Sequence, residues 1–133
     1  MAVNPAFFDT NVLLYLLSAD AAKADRAESL LASGGIVGVQ VLNEFAAVAT
    51  RKLALDIAEI REILATVRAV CAVTPLDVET HELGLAIAER YRFAIYDGFI
   101  VAAALRAGCG VLYSEDLQNG QAIDGLTIQN PFV

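Results

Sequence analysis

Four acidic residues stand apart from the other Asp and Glu of this 133-residue chain, because each adjoins an apolar run instead of sharing a helix face with Lys and Arg. Asp9 interrupts AFFDTNVLLYLL, Glu44 lies in VLNEF, Asp97 precedes GFIVAAAL, and Asp116 follows GVLYS with Glu115 in between. A carboxylate beside buried apolar segments needs hydrogen-bond donors, a helix terminus to cap, or a cation. Taken singly, Asp9 and Asp97 read equally well as helix caps, Glu44 as a surface charge, and Asp116 as part of the turn SEDLQNG. Taken together on one rim they would repel one another, and bound cations are the simplest compensation. All four offer hard oxygen ligands with no Cys or His among them, which fits Mg²⁺ or Mn²⁺ and disfavours Zn²⁺.

Whether they share a rim depends on the elements that carry them. Ala6-Phe7-Phe8 after Pro5 reads as a buried strand, and Val12 to Leu17 as a helix, so Asp9 falls where one ends and the other begins. Helical spacing continues over 19–32, stopped by Gly34-Gly35, then over 40–53, over 56–70 with Asp56 as N-cap, over 77–91, and over 97–108 with a glycine stop. Between them IVGV (36–39), CAVT (71–74, ended by Pro75), GVLYS (110–114) and a final segment LTIQNPF (126–132) read as strands. Short strands separated by helices predict an α/β fold, a three-layer α/β/α sandwich around a mainly parallel sheet, as one domain spanning 1–133. In such sheets ligands bind beyond the carboxyl ends of the strands, and all four acids map to that end.

Composition bounds the function classes. Nine Lys plus Arg against sixteen Asp plus Glu give a net charge of −7, the wrong sign for nucleic-acid binding through a broad basic surface. Bound divalent cations would reverse the local charge of an acidic pocket, so a phosphate substrate stays open. The 57% hydrophobic content exceeds what one small core hides, which points to self-association, a homodimer being the simplest form, or to a protein partner. Uncharged stretches are too short and too broken by Gly and Ser for a bilayer span, and the first residues carry no basic side chain ahead of an apolar run. A soluble cytoplasmic protein with no membrane association is the default expectation. Cys71 and Cys109, without a CxxC or a nearby His, read as small core hydrophobes.

The segments FFDTNVLLYLL, VLNEF, YDGFIVAAAL and LYSEDLQNGQAIDGLTIQNPF, in that order and over essentially the whole length, resemble the PIN domain, and within it the VapC-type toxins of bacterial toxin–antitoxin pairs. The resemblance implies that Asp9, Glu44, Asp97 and Asp116 form the acidic metal site, with Thr10 in support, and that Asp116 rather than Glu115 meets the metal; Asn11 reads as a further support, and Ser114 beside Asp116 reads as a support or as part of the turn. It implies a Mg²⁺- or Mn²⁺-dependent ribonuclease in which a metal-activated water cuts RNA to leave a 5′-phosphate and a 3′-hydroxyl. It also implies a VapB-type antitoxin whose amphipathic tail lies on apolar helices while a basic side chain reaches the carboxylates. Tyr96-Asp97-Gly98 stands where Trp-Asp-Ala is commoner among relatives.

Rival readings fare less well on the residues. A HAD-type phosphotransferase needs a second Asp two positions after the first, and here that position is Asn11. A receiver domain needs a Lys after a late strand, yet the only lysines are Lys23 and Lys52, both in helical runs. A PIN fold without activity, acting only by binding protein or RNA, is the remaining alternative. His81 falls in a helix away from the four motifs and reads as an ordinary surface or packing residue. Arg90 and Arg92, flanking Tyr91, read as a solvated helix end or as contacts to an RNA backbone. Gln118 and Asn119 read as turn residues that could also orient ligands or water.

Overall fold

The computed structural model describes residues 4–133. Six strands form one sheet: β1 (Ala6–Phe8), β2 (Gly35–Gly38), β3 (Cys71–Thr74), β4 (Val111–Tyr113), β5 (Ala122–Ile123) and β6 (Leu126–Gln129). Their order is β3-β2-β1-β4-β6-β5, parallel throughout except for the β5–β6 pair. The helices are α1 (Thr10–Leu14) with a 3-10 turn at Tyr15–Leu17, α2 (Ala21–Ala32), α3 (Val39–Leu53), α4 (Ile57–Val70), α5 (Val78–Tyr91) and α6 (Ile95–Arg106).

The chain steps from β1 through β2 to β3, then returns to β4 on the other side of β1. Right-handed crossovers place α1 to α4 on one face and α5 and α6 on the other. The packing agrees: α1 touches α3, α2 and α3 touch α4, and α5 lies along α6. This is the three-layer, mainly parallel α/β architecture expected from the alternation of strands and helices. Phe7, Phe8, Val37, Leu112 and Ile128 from the strands meet Val12, Leu13, Val41, Phe45 and Val101 from the helices, all essentially removed from solvent. Cys71 and Cys109 are free thiols buried in this core. Burial pushes the Cys109 thiol up to about 11, which keeps it protonated and unreactive.

Several boundaries differ from the sequence expectation, each for a local reason. The first helix begins at Thr10 instead of Val12 because Asp9 caps it directly, and its end tightens into the 3-10 turn. The strand expected at 36–39 is Gly35–Gly38, and Val39 already belongs to α3. Helix α6 starts at Ile95, so Asp97 is not its cap but lies inside its first turn, where a negative charge complements the helix dipole. The final strand stops at Gln129 and pairs with β5, which no pattern of alternation announced because it is two residues long. Its signature was the turn Asp124-Gly125, whose φ values of 48° and 89° are both positive, as a tight hairpin requires. Ile57, at the start of α4, is exposed, as are Leu76, Val78, Ile95 and Tyr96. Among the described residues no helix is long and apolar enough to cross a membrane.

Candidate active site

The strand order reverses between β1 and β4, and the chain ends leaving these two strands diverge to open a crevice. Asp9 follows β1 directly; Ser114, Glu115 and Asp116 follow β4. The backbone N–H of Asp9 bonds the carbonyl of Tyr113, which fixes the two strand ends side by side.

Asp9 is 3% exposed, so its carboxylate must find donors within the fold. One oxygen, Oδ1, accepts from the N–H of Thr10 at 2.7 Å. The other, Oδ2, accepts from the Ser114 hydroxyl at 2.7 Å and from Asn11 Nδ2 at 3.4 Å. The residue therefore caps α1 and also looks across to β4. Desolvation pushes its pKa up to about 6; the Ser114 and Thr10 hydrogen bonds oppose the shift, and the charges of Asp116 and Glu44 add to it.

Asn11 is the bridge. Its Oδ1 accepts from the N–H of Glu115 at 3.2 Å, which orients the amide so that Nδ2 donates to Asp116 at 3.2 Å as well as to Asp9. A carboxylate at position 11 would supply no donor and one more negative charge, so Asn is the residue this geometry calls for. Ser114 does similar work from β4, donating to Asp9 and accepting from the N–H of Asp116 at 3.2 Å.

Glu44 arrives from α3. Thr10 Oγ1 donates to its Oε2 at 2.7 Å and Gln40 Nε2 to its Oε1 at 2.9 Å. Gln40, one turn before Glu44 on the same helix, also donates to the carbonyl of Tyr96 at 3.3 Å, tying α3 to the first turn of α6. Sequence reasoning passed over Gln40; the i, i+4 spacing to Glu44 was its only signal.

Asp97 is carried on α6, and α6 is held against α5 by two glycines. A Cβ on Gly98 would sit 2.6 Å from the carbonyl oxygen of Gly84 and 2.9 Å from the Ala88 methyl, while one on Gly84 would collide with Phe99. Close helix approach is thus the reason for Gly98, and it sets the position of its neighbour Asp97. The Asp97 carboxylate has no hydrogen-bond donor among the described residues. Its pKa is raised by desolvation first, then by the charges of Asp116 and Glu44.

The structure thus brings Asp9, Glu44, Asp97 and Asp116 to one end of the sheet, with Thr10, Asn11 and Ser114 among them. Glu115 does not join. It accepts from the Tyr15 hydroxyl at 2.6 and 2.7 Å and lies 3.9 Å from Lys23, turned towards α1 and α2. Asn119 is used elsewhere, accepting from the N–H of Asn130. Arg92 caps α5 with a left-handed backbone, and Arg90 lies over the Tyr91 ring.

A cleft of about 780 Å³ opens over this site, lined by Thr10, Asn11, Glu44 and Asp116, by Arg51 of α3, and by His81, Tyr96 and Phe99. His81 was expected away from the four motifs; the pairing of α5 with α6 brings it to the same cleft. The cleft's cationic residue is Arg51, not the Arg90 and Arg92 of the sequence reading.

The side-chain donors to Asp9, Glu44 and Asp116 are neutral: Thr10, Asn11, Gln40 and Ser114. Among the described residues the ion pairs are Lys23–Glu115 and Arg106–Asp77, and neither involves them. Nor, among the described residues, do three His, Cys, Asp or Glu side chains stand close enough to form a ready cage for a metal ion. The donor set, carboxylate and hydroxyl oxygens without nitrogen or sulfur, has the chemistry of a Mg²⁺ or Mn²⁺ site.

The PIN domain family model matches residues 6–120, which includes all four acids. The chain belongs to the PIN-domain family. No curated protein matches it. Among solved structures, the PIN chain is similar to VapC20 of Mycobacterium tuberculosis, described as a sarcin–ricin loop cleaving toxin, with a TM-score of 0.68 at 19% identity over 84% of this chain and 89% of that one. A toxin–antitoxin complex from Klebsiella pneumoniae gives 0.69 at 17% identity over 95% and 97%. VapBC2 from Rickettsia felis, bound to a DNA fragment from its promoter, gives 0.66 at 15% identity over 94% and 97%. These likenesses establish the fold, and in two of the three the solved structure includes an antitoxin.

Proposed function

We propose that this PIN domain, taken as one unit over residues 1–133, is a Mg²⁺- or Mn²⁺-dependent endoribonuclease and the toxin of a VapBC-type toxin–antitoxin pair. The observation that carries the reading is the set of four carboxylates at the β1/β4 crevice, three bonded only to neutral donors and Asp97 to none among the described residues, two of them with pKa values raised partly by their neighbours. Asp9, Glu44, Asp97 and Asp116 would hold the metal. When bound, the cation supplies a water acidic enough to attack a phosphodiester and positive charge for the phosphate oxygens.

The chain's own residues divide the remaining work. Ser114 and the Thr10 N–H fix Asp9 and favour its ionised form against the cost of burial. Thr10 and Gln40 hold Glu44 in one orientation, and Asn11 keeps Asp116 beside Asp9. Asp97, with its lone pairs uncommitted, and the exposed Asp116 face incoming cation and substrate. Arg51 gives the cleft one positive group for the RNA backbone.

The direct test is to incubate the purified chain with single-stranded RNA in Mg²⁺ and in EDTA and to identify the product ends. Cleavage only with metal, leaving 5′-phosphates and 3′-hydroxyls, is the expected result. EDTA-insensitive cleavage leaving 2′,3′-cyclic phosphates would mean that the RNA's own hydroxyl is the nucleophile and would sink the assignment.

As a VapC-type toxin, the chain expressed alone in the cytoplasm should arrest growth, and from its native cells it should purify as a homodimer with a small VapB-type antitoxin. Exposed Leu53, Ile57, Val73 and Val78 are available for these contacts. A monodisperse monomer with no partner and no growth effect would favour an inactive or housekeeping PIN protein.

A further inference from the structure

We propose that Tyr96, backed by Phe99 and His81, is a stacking platform for an unpaired nucleobase of the RNA, adjoining the carboxylates; this rests on the ribonuclease reading above. Tyr96 is 65% exposed although it immediately precedes Asp97 in the first turn of α6. Its ring meets Phe99 edge to face, with centroids 5.9 Å apart at 85°. Phe99 in turn lies 5.3 Å from the His81 ring. All three rings line the cleft that Glu44 and Asp116 also line.

The platform is rigid where it needs to be. Phe99 is wedged against the backbone of Gly84, so the ring that supports Tyr96 cannot retreat. The Tyr96 carbonyl is held by Gln40, the side chain that also holds Glu44. The aromatic face is therefore referenced to the carboxylates through one amide group, and a base resting on Tyr96 leaves its own phosphate near the acidic site.

Charge explains why stacking is called for. At a net charge of −7 the chain has little of the long-range attraction on which most RNA binding depends, and among the described residues Arg51 is the one Lys or Arg lining the cleft. Base–aromatic stacking is insensitive to net charge and open to any base with a free face. A paired base offers no such face, so the platform selects single-stranded or looped RNA over duplex. An apolar protein segment is the competing occupant, but the ring shares its cleft with Glu44 and Asp116, which hold the metal in the ribonuclease reading, and this favours a nucleotide.

The chain contains no tryptophan, so Tyr96→Trp places at the site a sole tryptophan, whose emission can be excited apart from that of the tyrosines. In EDTA, where no metal-dependent cleavage occurs, a ten-nucleotide single-stranded RNA should quench its emission saturably. The same sequence as a duplex, or as a strand with abasic sugars, should not. In Mg²⁺, Tyr96→Leu should raise KM for single-stranded RNA by about five- to 150-fold, the range of one lost stack. Tyr96→Phe should stay near wild type. Wild-type cleavage that is unchanged in Tyr96→Leu would overturn the platform while leaving the ribonuclease standing. No cleavage by wild type would count against the ribonuclease, and the quenching in EDTA would then decide the platform separately. Emission that ignores RNA but changes with protein concentration would assign this face to contact between copies and overturn the proposal.

Discussion

The two sides of the acidic crevice are built differently. On one side Asp9 and Glu44 are enclosed: five hydrogen bonds from Thr10, Asn11, Gln40 and Ser114 fix their four oxygens. On the other, Asp116 is exposed with one long bond from Asn11, and Asp97 has no donor among the described residues. The difference is in what holds each carboxylate in place. Asp9 and Glu44 are positioned by their own side-chain bonds, whereas Asp97 is positioned by its helix, through the glycine contacts between α5 and α6. A site of this kind has a fixed wall and an open wall, and the open wall is where a cation finds uncommitted lone pairs.

Breaking each wall should give the same loss of activity by different routes. Asp9→Asn and Asp97→Asn should each lower RNA cleavage on the order of 10³-fold, the several kcal/mol that a catalytic metal contributes. Asp9→Asn should change the stability of the metal-free protein at pH 7 more than Asp97→Asn does, because it removes the more deeply buried charge. Cleavage at wild-type rate by Asp97→Asn with the same metal would remove the open wall from the account.

The pH dependence sharpens the contrast. Asp9 titrates at about 6 in the folded protein and at 3.8 unfolded, so between these values the folded state binds more protons. The metal-free protein is therefore most stable below pH 4 as far as this group is concerned, and it loses up to about 3 kcal/mol as the pH rises through 6. Asp97, also raised, contributes with the same sign. Denaturant melts from pH 5 to pH 7 should show this loss, and Asp9→Asn should flatten it. A wild-type profile that rises with pH over that window would contradict the burial argument.

Next in size is the helix contact. Gly98→Ala places a methyl against the Gly84 carbonyl and the Ala88 methyl, neither of which can turn aside. Overpacking of this kind costs about 1–3 kcal/mol. The strain displaces Asp97, so cleavage should fall by more than the fraction unfolded; an unchanged melt would show that α5 and α6 are free to part. The smallest effect is expected at the excluded acid. Tyr15→Phe removes the hydroxyl that holds Glu115, costs about 1 kcal/mol at this half-exposed site, and should leave cleavage within a few-fold of wild type. Loss of activity there would bring Glu115 into the machinery.

Much of this was legible in the residues. The alternation of apolar strands and amphipathic helices predicts the parallel sheet because each strand is bounded by turn signals, and the carboxyl-end rule then gathers Asp9, Glu44 and Asp116 without any distance. The start of α6 was misplaced because Ala94 caps it without a side-chain bond, whereas Asp56 and Asp77 mark their helices openly. The turning of Glu115 towards Tyr15 and the arrival of His81 and Arg51 at the cleft depend on how separate elements pack. Neighbours in sequence carry no record of that. The reason for Gly98, its contact with Gly84, is visible only with the two helices together.

The central claim is that these four carboxylates close on a divalent cation, and the most direct measurement is the melting temperature of the metal-free protein at pH 7 titrated with Mn²⁺, in wild type and Asp97→Asn side by side. The account predicts a saturable rise for wild type, reaching about 2.7 kcal/mol of stabilisation at a hundredfold excess over Kd, and a blunted rise for Asp97→Asn. A wild-type melting curve that does not move across millimolar Mn²⁺, or one that moves equally in the variant, would contradict it.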